Sequence, residues 1–206
     1  MNERSIGGLP WLDYVLATPK QAVGIARAHR QRYEGNSMAY AMYSPLHAAM
    51  RRSLNSVDPR TPLDNVVAWA VQKRDWRGPA FRKAANGFLD LLPAGATGVR
   101  VAQESWTESE LTIVLRDLLG IRLTSGKLLL VAPYCKELEL HQDAADILLL
   151  MMESVLDQAL PGATPVVWDT RHGQAFRLHA RTNRRILEVA ARGLVAKYLR
   201  EWSLAA

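Results

Sequence analysis

Lys136 stands two residues after Tyr134 at the end of an apolar run, and Glu137, Glu139, His141 and Asp143 alternate behind it. Lysine among carboxylates is material for phosphoryl-transfer or hydrolytic chemistry. Carboxylate oxygens that converge can hold a hard divalent cation. Asp117 upstream and Asp169 downstream supply further acids, as does Glu110, if the fold carries them to Lys136. Alternation places Glu137, Glu139 and His141 on one side of a continuing strand, a metal-binding face. The preferred reading of the same residues is a polar helix entry, where the dipole favours acids and no special geometry is needed. Asp169, His172 and His141 have the types of a hydrolase triad, but no Gly-x-Ser-x-Gly elbow accompanies them, and Asp169–Gly173 suits a hairpin turn. Cys135 adjoins a cation, the setting of a reactive thiol, yet its place at the end of a buried strand makes it a small core residue.

The elements that must position these groups fall into two halves. Thr18-Pro19, Ser44-Pro45, Thr61-Pro62 and Gly78-Pro79 are four helix-start signals, so residues 1–93 read as helical, with helices reaching about Tyr33 and about Trp76. Pro93–Gly98 is small and rich in breakers, a boundary. Beyond it the pattern turns to period two: Leu111, Ile113 and Leu115, then Ile121 and Leu123, a Thr124–Lys127 turn, and Leu128–Ala132. The last run is apolar on both faces and predicts a central strand. A helix over 141–158, a strand over 164–170, its return over 175–178 and a helix opened by Thr182-Asn183 complete the chain. The expected fold is α+β: a basic helical region, 1–93, packed on a mixed β-sheet flanked by two helices, 94–206.

Gly120-Ile121-Arg122-Leu123, a turn, and then Leu129 to Lys136 resemble the paired strands of PD-(D/E)XK (RecB-like) nucleases. In that family a Gly-x-x-Asp strand precedes a strand bearing an acid and a nearby Lys. The resemblance spans about residues 110–178. It implies a nuclease-like core and, if that core is active, Mg²⁺ held by relocated acids, with Lys136, Glu137, Asp117 and Asp169 the catalytic residues. This chain has Leu123 at the Asp position and Tyr134 where the acid belongs. Neither can hold a hard cation, so the core reads as degenerate. The chain also resembles an uncharacterised actinobacterial protein group with the same helical and strand–helix–strand halves, which implies a bacterial architecture rather than an activity.

Charge adds a partner class. Residues 1–93 carry 13 Lys and Arg against 7 Asp and Glu, whereas 94–206 carry 13 of each, so the net +6 belongs to the first half. Such a surface suits nucleic acid or an acidic protein. Arg27, Arg30, Arg51, Arg52, Lys73, Arg74 and Arg77 are its contact candidates, with Arg181, Arg184 and Arg185 at the start of the last helix. Trp76 amid Lys73, Arg74 and Arg77 could stack a base. Cations at a helix N-terminus oppose the dipole and need compensation, by phosphate or by an acid such as Glu188. The single cysteine excludes an internal disulfide and multi-thiolate zinc. With no secretory signal and no apolar run near 20 residues, a cytoplasmic protein without a membrane span is expected. The sequence thus favours a non-catalytic module that associates with nucleic acid or with protein, with no resident cofactor. The alternatives are the metal-dependent nuclease and a structural or regulatory protein-binding partner.

Overall fold

The structure, a computed structural model, describes residues 4–34, 42–73 and 76–204. In chain order the elements are β1 (Arg4–Gly7), α1 (Gly8–Leu16), α2 (Pro19–Glu34), α3 (Ser44–Ser53), α4 (Arg60–Lys73), α5 (Arg77–Leu91), β2 (Thr97–Val99), β3 (Glu104–Glu108), β4 (Leu111–Leu115), β5 (Leu119–Arg122), β6 (Leu128–Tyr134), α6 (Gln142–Ser154), α7 (Leu156–Ala159), β7 (Ala163–Asp169), β8 (Gln174–Phe176) and α8 (Arg184–Leu204). The fold is α+β with two mixed sheets, ordered β1-β4-β3 and β2-β5-β6-β7-β8.

The prolines mark the helix starts, but Ser44 and Gly78 lie inside α3 and α5, which begin after Tyr43 and Trp76 with no side-chain cap, and Thr61 lies inside α4. At α2, the Thr18 N–H and hydroxyl both donate to the side-chain oxygen Oε1 of Gln21. Asp58 accepts from the Arg60 N–H and the Thr61 hydroxyl at α4, and Asn183 accepts from the Ile186 N–H at α8. α4 is described as far as Lys73, so the expected end near Trp76 falls across residues outside the described ones. Val155, at φ −111° and ψ 9°, interrupts the helix expected over 141–158 and separates α6 from α7.

β6 organises the molecule. It pairs antiparallel with β5 and parallel with β7, the parallel pair being joined by the α6 crossover that such pairing requires. Its alternate side chains enter two different cores. Leu129, Val131 and Cys135 join β5 and β7 residues against α3, α4 and α5, where Leu46, Met50, Phe81 and Phe88 are buried. Leu130, Ala132 and Tyr134 point the opposite way, into a core with α1, α2, α6 and α8. The doubly apolar Leu128–Ala132 run is therefore a central strand covered on both faces.

The helical first half also contains a strand that its pattern does not announce. β1 is four residues long and pairs in parallel with β4, from Arg4 opposite Leu111 to Gly7 opposite Val114. Leu111, Ile113 and Leu115 are buried as their alternation predicts, but they belong to this three-stranded sheet and not to the sheet holding β5 and β6. β3 is as long as β4 but lacks apolar alternation to announce it, and three-residue β2 lies below the length at which period two can be read.

Candidate functional site at the carboxyl end of the central strands

β6 and β7 end side by side at Tyr134 and Asp169, and the chemistry-bearing residues gather just beyond. This is where parallel strands release their chains and where binding sites in such sheets form. Asp169 is 0% exposed. Its carboxylate accepts from the Leu140 N–H at 3.0 Å, from the His172 N–H at 3.2 Å and from His172 Nδ1 at 2.8 Å. The buried charge is thereby matched with donors on both flanking connections, as burial demands. Thr170, next in the chain, donates its hydroxyl to the Tyr134 carbonyl and lies 3.3 Å from Cys135 Sγ.

Lys136 forms an ion pair with Asp13 of α1, a partner 123 residues away in sequence. Tyr134 turns its hydroxyl to the Leu138 carbonyl at 2.8 Å. Burial, then the Asp13 and Asp169 charges, push its phenol well above the ordinary range, so Tyr134 remains a neutral donor.

The other acids serve elsewhere. The strand stops at Tyr134, so Glu137, Glu139 and His141 form no alternating face. Glu139 accepts from Gln174, and His141 caps α6 by accepting the Ala144 N–H, with Asp143 in the first turn. Glu110 pairs with Arg4 across the β1–β4 edge. A hard divalent ion needs several oxygen ligands, and among the described residues no three His, Cys, Asp or Glu are grouped to hold one. The residues present do not fit a Mg²⁺ centre.

Asp117 instead enters a cluster that sequence spacing does not suggest. His47 and Arg51 stand at i and i+4 on α3 and both reach it: Arg51 Nη2 donates to Oδ1 at 3.1 Å, and His47 Nδ1 lies 3.6 Å from Oδ2. The latter contact is an ion pair rather than a hydrogen bond, and it leaves Nδ1 buried without a hydrogen-bond partner. His47 Nε2 faces Cys135 Sγ, also at 3.6 Å. Burial opposes charge on this ring, but Asp117 and the Cys135 sulfur outweigh it and push His47 up to about 9. Burial likewise works against the Asp117 carboxylate, and His47 with Arg51 reverses that, holding it below the usual range. Asp117 adopts φ 64°, a left-handed conformation tolerated by Asp.

The basic candidates divide between the two helical layers. On the α3–α5 side, Arg52 and Lys73 are exposed, Arg51 is engaged by Asp117, and Arg77 lies over the Trp76 ring at 5.2 Å; Arg74 falls outside the described residues. Arg27, Arg30, Arg181, Arg184 and Arg185 belong to the opposite layer. There Arg30 is held by Glu34 and the Trp202 carbonyl, and Arg184 by Glu153 and two carbonyls. Glu153 on α6 thus compensates the cation at the start of α8, while Glu188 pairs with Arg192.

No family model matches the chain, and neither a curated protein nor a solved structure resembles it significantly. Among the described residues no helix is long and apolar enough to cross a membrane.

Proposed function

We propose that this protein is a non-catalytic nucleic-acid-binding module that contacts single strands through the surface around Trp76 at the start of α5. The observation that carries this reading is Trp76. It is 59% exposed at the entry to α5, with the Arg77 guanidinium 5.2 Å from its ring centre and Lys73 in the last turn of α4. An exposed ring flanked by cations is the combination that stacks a base while neutralising its phosphates. The non-catalytic half of the reading rests on Lys136 and Asp169. In a nuclease-like core both would serve the scissile phosphate, and here both are consumed in contacts within the chain.

The test is fluorescence anisotropy of a labelled single-stranded 20-mer over a salt series. Affinity is expected to fall steeply with salt through counterion release. Trp76→Ala should weaken binding by about 5- to 100-fold, the range for one lost stacking contact. No binding at low salt, or an unchanged Trp76→Ala, overturns the proposal. Cleavage of the oligonucleotide with Mg²⁺ or Mn²⁺ would restore the metal-dependent nuclease in its place.

A further inference from the structure

Cys135 lies one residue beyond β6, and three segments distant in sequence close around it. His47 Nε2 from α3 is 3.6 Å from the sulfur, the Thr170 hydroxyl after β7 is at 3.3 Å, and behind His47 stands Asp117 from the turn between β4 and β5. Arg51 holds Asp117 in turn. This is a thiol, an imidazole and a carboxylate brought together from separate elements. The imidazole is buried between two groups that can each bear negative charge. With Asp117 3.6 Å from Nδ1 and the sulfur 3.6 Å from Nε2, the ring is placed to hold a proton between the carboxylate and a Cys135 thiolate.

We propose that Cys135, His47 and Asp117 form a reactive-thiol site whose co-substrate is a small uncharged peroxide and whose product is the sulfenic acid of Cys135. Size sets the class: Cys135 is 2% exposed and packed in the core beneath α3–α5, which excludes peptides and other bulky electrophiles. In the reaction the Cys135 thiolate attacks one oxygen of hydrogen peroxide and a sulfur–oxygen bond forms. The oxygen–oxygen bond breaks, and the departing hydroxide takes the proton from His47 Nε2 to leave as water. The thiol is oxidised to the sulfenic acid and the peroxide reduced to water. The chain has a single cysteine, so no second thiol of its own resolves the product into a disulfide.

The test treats the full chain with hydrogen peroxide in the presence of dimedone and follows the mass of the trapped adduct with time. The native protein is expected to label and Cys135→Ser to remain unlabelled. His47→Gln should slow labelling by on the order of 100-fold, the scale of a lost acid–base partner. Asp117→Asn supplies a second variant in case His47→Gln fails to fold. The sign of its effect separates the two accounts of the cluster: activation requires slower labelling, whereas a merely buried thiol labels faster as the packing around it loosens. Faster or unchanged labelling in Asp117→Asn overturns the proposal. So does a native protein that labels only when unfolded in urea.

Discussion

Raising the pH should loosen the contact between α3 and the turn after β4, because Asp117 and the Cys135 sulfur favour a proton on His47. Its pKa of about 9 in the folded chain, against an ordinary 6.5, means that the native state binds this proton more tightly than the unfolded state does. A raised histidine pKa contributes stability in full below pH 6.5 and loses it as pH climbs toward 9. The difference of about 2.5 units corresponds to about 3 kcal/mol at roughly 1.4 kcal/mol per unit. Against a typical domain stability of about 5–15 kcal/mol this is a large fraction. The depressed pKa of Asp117 describes the same contact from its other side, is lost as pH falls instead, and is not added to it. Urea denaturation at pH 6, 7.5 and 9.5 on the native chain and on His47→Gln measures the effect. The native chain should lose about 3 kcal/mol more than the variant between the outer points. Parallel pH profiles for the two proteins would show that His47 is not charged in the folded state, and the electrostatic account of the cluster would fail.

Three further substitutions probe the carboxyl end of the sheet. Asp169→Ala removes the acceptor for the Leu140 N–H and for two His172 groups, and at about 1–3 kcal/mol per buried donor left unpaired it should depress the thermal midpoint sharply in calorimetry. Gly87→Ala places a Cβ 1.8 Å from the Thr170 carbonyl oxygen, a backbone atom that cannot swing aside. It should force α5 off the turn after β7 and cost at least about 1–3 kcal/mol, read as a lower denaturation midpoint. Lys136→Ala breaks a partly exposed pair with Asp13, so it should change stability by no more than about 1 kcal/mol and leave oligonucleotide affinity within twofold of native. A Lys136→Ala protein that lost nucleic-acid binding would move the contact surface away from Trp76.

Much of the architecture is legible in single stretches of sequence. Proline after Thr18, Ser44 and Thr61 marks helix starts because its fixed φ suits the first turn and its missing N–H costs nothing there. Gly126 and Gly173, at φ 82° and 67°, mark turns that a side chain would strain. The double apolarity of Leu128–Ala132 is enough to predict a strand covered on both faces, and the two separate cores meeting at β6 are the reason for it. β1 is illegible because Arg-Ser-Ile-Gly becomes a strand only by pairing with Leu111–Val114, more than a hundred residues on. Trp76 falls between these cases. Its cationic neighbours are close in sequence, whereas its exposure at the start of α5 is seen only in the structure.

Lys136 shows where local reading stops. Sequence alone determined that a lysine would stand between a doubly apolar strand and the next helix, with no acid two positions before it. That much depends on neighbours within a few residues, whose periodicity and turn chemistry act through short-range sterics and hydrogen bonding. Only the tertiary structure decided that Asp13 would answer Lys136, that Asp169 would be spent on Leu140 and His172, and that His47, Asp117 and Cys135 would meet. Those contacts join residues far apart in the chain. They are set by how α1 and α3 seat on opposite faces of the sheet, a result of apolar burial that favours no particular polar pair.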